Sequence, residues 1–128
     1  MIKPNEHEIV DYVGRAVSCK EEAVKAADSL RKLGIDNVMI TLGKGGAVIS
    51  SDEGSFAVAA PSVPVLSTIG AGDSSIAGFI YALSKGESIK NALASSVAFG
   101  SAACLSEGTN PPLREDVEKM LKNGIFVV

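Results

Sequence analysis

The run Asn37-Val38-Met39-Ile40-Thr41-Leu42 narrows the possible folds most. It is apolar, partly β-branched, of strand length, and bounded by turn signals. Apolar side chains at alternating positions must be covered on both faces, so the run reads as a central strand of a layered α/β structure. Ala47–Ser50 and Phe56–Ala60 are two further runs of this kind. Ser51-Asp52-Glu53-Gly54 between them predicts a hairpin turn.

Helical periodicity surrounds these strands. Residues 20–33 predict a helix with Ala23, Ala26, Ala27, Leu30 and Leu33 on one face, stopped by Gly34. Residues 1–8 read as the end of a strand entering a turn at Pro4 and Asn5. Val63–Leu66 leads into a glycine cluster at Gly70 and Gly72, and three helices follow. The first carries Ile76, Phe79, Ile80 and Leu83, and stops before Gly86. The second carries Ile89, Leu93, Val97, Gly100 and Cys104, with many small residues that permit close approach of a backbone or a flat ligand. The third starts at Pro111-Pro112 and is expected to bury Leu113, Val117, Met120 and Leu121. Ile125–Val128 is read as a last strand. The class is α/β, but strands are too few for a complete doubly wound sheet. The 128 residues are expected to form one partial domain of a larger sheet.

Composition excludes several functions. A hydrophobic share of 46% and a charged share of 21% suit a globular domain rather than a disordered one. The net charge of -3 and the lack of a basic cluster argue against nucleic acid as a partner. No apolar run approaches membrane-spanning length, and the N-terminus lacks signal-peptide character. Cys19 and Cys104 have no zinc spacing and read as free thiols, so a cytoplasmic location is expected.

Three motifs carry chemistry. Ser67-Thr68-Ile69-Gly70-Ala71-Gly72-Asp73 opens an amphipathic helix. Glycines permit a tight turn with outward N–H groups, and a helix N-terminus adds partial positive charge, which together make an anion hole. Asp73 beside it is placed to take a proton from an attacking hydroxyl; the alternative is a plain capping turn with Asp73 stabilising the helix dipole. Neither GxGxxG, which fails at Ser75, nor the P-loop pattern is present. Thr41-Leu42-Gly43-Lys44-Gly45-Gly46 follows the central strand, where α/β proteins place ligands. Thr41 offers a hydroxyl and Lys44 a charge for a polyphosphate, although a solvated β-turn is the simpler reading. Asn5 and Glu8, three apart, suit magnesium through its waters, or else an N-cap and its capping-box acid. His7, the single histidine, is given no role.

In this order the motifs resemble the ribokinase-like (phosphofructokinase B-type) carbohydrate kinases. Gly70-Ala71-Gly72-Asp73 matches the family's GAGD signature, Asn5–Glu8 its NxxE motif, and Thr41-Leu42-Gly43 with Gly46 its strand and turn along ATP. The resemblance implies the C-terminal part of a ribokinase-like, Rossmann-type α/β/α sandwich, without the lid and N-terminal strands. It implies that Asp73 is the catalytic base, that the Gly70, Ala71 and Gly72 amides stabilise phosphate charge, and that Thr41, Gly43, Lys44 and Gly46 hold ATP. Asn5 and Glu8 are implied in magnesium handling, and Val97, Gly100 and Ser101 in lining the adenine pocket. The Lys-Pro-Asn opening and Ser67-Thr68 before the glycines look most like the 1-phosphofructokinase and tagatose-6-phosphate kinase branch, which implies a sugar phosphate as acceptor. Family members are about twice this length or more, so the chain alone is expected to be a poor catalyst. Self-association, or association with the remaining N-terminal part of such an enzyme, is expected through uncovered apolar surface.

Overall fold

A computed structural model describes residues 1–107 and 110–122. The chain divides into two compact units, Met1–Ala59 and Ala60–Phe126, the second described as far as Lys122.

In the first unit a short helix α1 (Ile9–Val13) and a longer α2 (Lys20–Arg31) precede the strands β1 (Val38–Thr41), β2 (Ala47–Ser51) and β3 (Gly54–Val58). The strands form one antiparallel sheet in the order β1-β2-β3. Val38, Met39 and Ile40 are fully buried, as a central strand requires. The other edge of β1 is lined by the N-terminal segment through two parallel bridges, Ile2 to Val38 and Asn5 to Thr41. Residues 1–5 thus run along β1 before the chain turns. The expected hairpin is present, with Ser51 opposite Gly54 and Asp52-Glu53 as its loop.

The register of α2 follows its small residues. Ala23, Ala26, Ala27 and Leu30 are buried in a core shared with Ile9, Val38, Ile40, Val48 and Ala57. Leu33 is not part of that face and is 77% exposed. The helix ends at Arg31, and tighter bonds from the Leu33 N–H to Leu30 O and the Gly34 N–H to Arg31 O turn the chain away. Polar contacts tie α2 to the hairpin: the Ser50 and Ser55 hydroxyls donate to Asp28, and Arg31 pairs with Asp52.

The second unit is helical: α3 (Ala71–Ser84), α4 (Ile89–Ala103) and α5 (Arg114–Lys122). Residues 60–70, including the apolar Val63–Leu66, form no strand. On α3 the buried positions are Gly78, Phe79 and Ala82, whereas Ile80 and Leu83 are exposed, against expectation. The reason lies in α4. A Cβ at Gly78 would stand 2.7 Å from the Ser95 carbonyl and 2.6 Å from the Phe99 ring, so α4 approaches the smallest residue of α3 rather than its largest. Helix α4 is buried nearly all round, well beyond the expected stripe, and Cys104 is its C-cap. The Ser88 hydroxyl caps its start by accepting from the Asn91 N–H. Helix α5 begins at Arg114, so Leu113 precedes it and is exposed, as is Leu121. Only Val117 and Met120 are buried, packing with Ala98 and Ala102. The expected strand Ile125–Val128 lies outside the described residues. No helix among the described residues is long and apolar enough to cross a membrane.

Candidate functional site

Gly70 is the N-cap of α3, with φ 81° and ψ -3°. This left-handed conformation is costly for a residue with a Cβ, which explains the glycine. The approach is built by Ser67, whose hydroxyl accepts from the Ile69 N–H at 3.1 Å. The Ala71 N–H turns back to Thr68 O at 3.2 Å. The Gly72 and Asp73 N–H groups make no hydrogen bond among the described residues, because the first donors of a helix have no partner within it. The Gly70 N–H is likewise without a hydrogen bond among the described residues, so of the three expected amides only Ala71 is engaged, while Gly70, Gly72 and Asp73 remain available to an anion. Asp73 is exposed and forms no ion pair or side-chain hydrogen bond among the described residues. A 14-residue helix directs its positive end at this point.

The Thr41–Gly46 turn is more closed. The Leu42 N–H donates to Gly46 O at 2.8 Å, and the Gly45 N–H donates to Leu42 O at 2.8 Å. Gly43 has φ 54° and Gly46 has φ 91° with ψ -133°, the latter a region open almost only to glycine. Thr41 is half-buried at the end of β1, and Lys44 is exposed without an ion pair among the described residues. A Cβ on Gly43 would lie 3.7 Å from Glu6 Oε1. Two motifs far apart in sequence are thereby side by side, joined by the Asn5–Thr41 bridge and by the Glu6 N–H donating to Thr41 O at 2.9 Å.

Asn5 and Glu8 form a capping box. Asn5 Oδ1 accepts from the Glu8 N–H at 2.8 Å and the His7 N–H at 2.9 Å, and Glu8 Oε2 accepts from the Asn5 N–H at 2.9 Å. Of the two readings open from sequence, the structural one is thus realised. No group of three His, Cys, Asp or Glu among the described residues is arranged to hold a metal. One exposed carboxylate with a single engaged oxygen fits a water-mediated contact to magnesium, not a protein cage.

Val97 and Gly100 are buried and Ser101 is half-buried on α4. Gly100 is occupied by protein: a Cβ there would stand 2.2 Å from Ser75 Oγ and 3.3 Å from Ala71 O. A cleft of about 600 Å³ opens in the first unit among Glu6, Val10, Val17, Cys19, Leu42 and Gly45. It is lined by none of the residues expected to hold nucleotide. Sequence reasoning missed Glu6 beside Gly43, and Ser75 against Gly100. The i, i+4 spacing of Ala71 and Ser75 at a helix start was the available signal for the second.

A sequence model of the family described as "pfkB family carbohydrate kinase" matches residues 1–116. The 1-phosphofructokinase of Borreliella burgdorferi is 36% identical over 122 residues, covering 94% of this chain and 39% of the relative. The structure of phosphofructokinase-2 from Escherichia coli in complex with substrates and products superposes with a TM-score of 0.86 at 32% identity, over 94% of this chain and 39% of that one. Ribokinase from Thermotoga maritima superposes with a TM-score of 0.79 at 30% identity, over 94% of this chain and 41% of that one. The chain thus spans 39% of the length of the Borreliella relative. The ribokinase-like fold expected from the motifs is the one these structures share with it.

Proposed function

Because the chain belongs to the pfkB family of carbohydrate kinases, we propose that it carries the ATP-binding and proton-accepting part of a kinase acting on a sugar phosphate such as fructose 1-phosphate. The observation that supports this most is the head of α3, where the Gly72 and Asp73 amides are unused beside an exposed, unpaired Asp73 carboxylate. Amides so placed need no reorganisation to receive phosphoryl charge. Asp73 accepts the proton of the sugar hydroxyl as that oxygen attacks the γ-phosphate in line, the bond from the γ-phosphorus to the β,γ-bridging oxygen breaks and ADP leaves, and the amides hold the equatorial oxygens. Thr41, Gly43, Lys44 and Gly46 hold the nucleotide, with Lys44 as a point charge. Magnesium, when bound, offsets phosphate charge; Asn5 and Glu8 orient its waters from their capping box.

In an enzyme of the relatives' full length that contains this chain, Asp73→Asn should lower kcat by about 100-fold or more and leave ATP affinity nearly unchanged. Loss of ATP binding with kcat preserved would show that Asp73 has another role. The 128-residue chain alone should show little transfer to fructose 1-phosphate, because phosphoryl transfer needs a positioned acceptor and exclusion of water. Ordinary kinase turnover by the chain alone would contradict this. We assign the reaction to the cytoplasm, where Cys19 and Cys104 would stay free thiols; cell fractionation tests it.

A second reading is a module that binds nucleotide without chemistry, or only packs against copies of itself. The exposed Ile80, Tyr81 and Leu83 on α3 favour self-association. Light scattering at rising concentration should show species larger than a monomer, whereas a monomer throughout would remove the self-packing form of this reading.

A further inference from the structure

Helix α4 supports the turn before α3 at two points, by backbone hydrogen bonds to the segment entering it and by a close approach to Ser75 and Ala71 in the first helical turn. The Cys104 carbonyl at the C-cap of α4 accepts from the Leu66 N–H at 2.8 Å and the Ser67 N–H at 3.4 Å. This pins the segment entering the turn, and Ser67 in turn fixes the Ile69 N–H. One helical turn earlier, Gly100 receives the first turn of α3. A Cβ on Gly100 would stand 2.2 Å from Ser75 Oγ, 3.6 Å from Ser75 Cβ and 3.3 Å from Ala71 O. Ala71 is also the residue whose N–H closes the turn onto Thr68 O. Thus the segment entering the turn and the first helical turn rest on the same stretch of α4, Gly100 to Cys104.

We propose that Gly100 is a positioning residue for the Gly70–Asp73 turn: its missing side chain lets α3 seat with the Gly72 and Asp73 amides aimed outward. The inference rests on the reading of that turn as a phosphate cradle, and it replaces a direct nucleotide contact by Gly100 with an indirect role. The other close glycine contact in this helix pair, Gly78 against Ser95 and Phe99, sets the spacing of the helices at mid-length and leaves the turn itself unconstrained. A side chain at position 100 pushes on Ser75 and Ala71, and so rotates the first turn of α3 relative to its approach. Removing the Ser75 hydroxyl relieves the shortest of these contacts. The effect of Gly100→Ala should therefore be reversible by a change on the opposite helix, which a general loss of stability would not be.

The test uses the 128-residue chain, with amide NMR of Gly70, Gly72 and Asp73, calorimetric titration of MgATP, and thermal melting. Gly100→Ala should shift the Gly72 and Asp73 amide signals and weaken MgATP binding by about tenfold. Adding Ser75→Ala should return both toward the parent. Ala82→Gly, which weakens α3 away from the turn, should lower the melting temperature without moving those signals. If Gly100→Ala does not fold, Ser75→Val enlarges the same contact from the α3 side and should shift the same amides. Unmoved signals in Gly100→Ala, equal movement in Ala82→Gly, or no return with Ser75→Ala would each overturn the proposal. Should the signals respond as expected while the parent binds no MgATP, the positioning role stands and the phosphate-cradle reading falls.

Discussion

Met1–Ala59 and the helical unit that follows use their polar groups in opposite ways. In the first, both motifs close on themselves. Asn5 and Glu8 satisfy each other's backbone, and Leu42 to Gly46 complete a turn with their own amides and carbonyls. In the second, the turn before α3 leaves donors at Gly72 and Asp73 open. Apolar surface follows the same division. The hairpin unit buries all of β2 and most of β1 and exposes Tyr12 and Leu33 away from the sheet, while the helical unit exposes Ile69, Ile80, Tyr81 and Leu83 around α3. Under the proposed function, the first unit offers nucleotide and magnesium turns whose own hydrogen bonds are already made, and the head of α3 offers open donors to phosphate.

Mutations should separate these roles, and the largest effect should fall in the scaffold. Ile40→Ala removes a fully buried side chain and should cost roughly 2–5 kcal/mol in urea unfolding. The exposed Leu121 on α5, replaced by Ala, should stay within about 0.5 kcal/mol; a comparable loss at both sites would break the contrast. Gly46→Ala puts a Cβ at φ 91°, ψ -133° and should cost roughly 1–3 kcal/mol. Asn5→Ala loses the capping box and should cost about 1 kcal/mol. If magnesium changed Asn5→Ala stability no differently from the parent's, Asn5 would be a cap only.

A pH effect should be smaller still. Glu22 is held below the usual carboxylate range by the Ser18 N–H and then the Ser18 hydroxyl, both at 2.8 Å. Its contribution is present above the ordinary carboxylate range and is lost as pH falls through its lowered value. Glu22→Gln should therefore lose less stability on acidification than the parent, measured by denaturant unfolding across pH. Parallel acid limbs would show that the contact contributes nothing. Asp73→Asn, which removes a charge near a helix N-terminus, should also change stability little, by less than about 1 kcal/mol. A larger loss would make Asp73 a structural cap instead of a free base.

What could be read from sequence follows the same line. Val38–Ile40 and the Ser51–Gly54 hairpin were legible because composition and turn chemistry agree there. The face of α3 was legible only at Phe79, because periodicity also selects Ile76, Ile80 and Leu83, whereas packing selected Gly78. Hydropathy counts what a side chain offers; a close helix pair depends on what is missing. The Asn5–Glu8 spacing favoured a capping box, and the hydrogen bonds show one. At the α3 head the glycines located the turn, but the donors open to a ligand depend on Ala71 being engaged by Thr68, which no pattern encodes.

Calorimetric titration of MgATP into the chain tests most directly the claim that the α3 head binds phosphate. Saturable binding, weakened when magnesium is withdrawn and lost in Gly72→Pro, which deletes one of the open amides at Gly70, Gly72 and Asp73, is the predicted result. No heat of binding up to about millimolar ATP, or undiminished binding by Gly72→Pro, would contradict it.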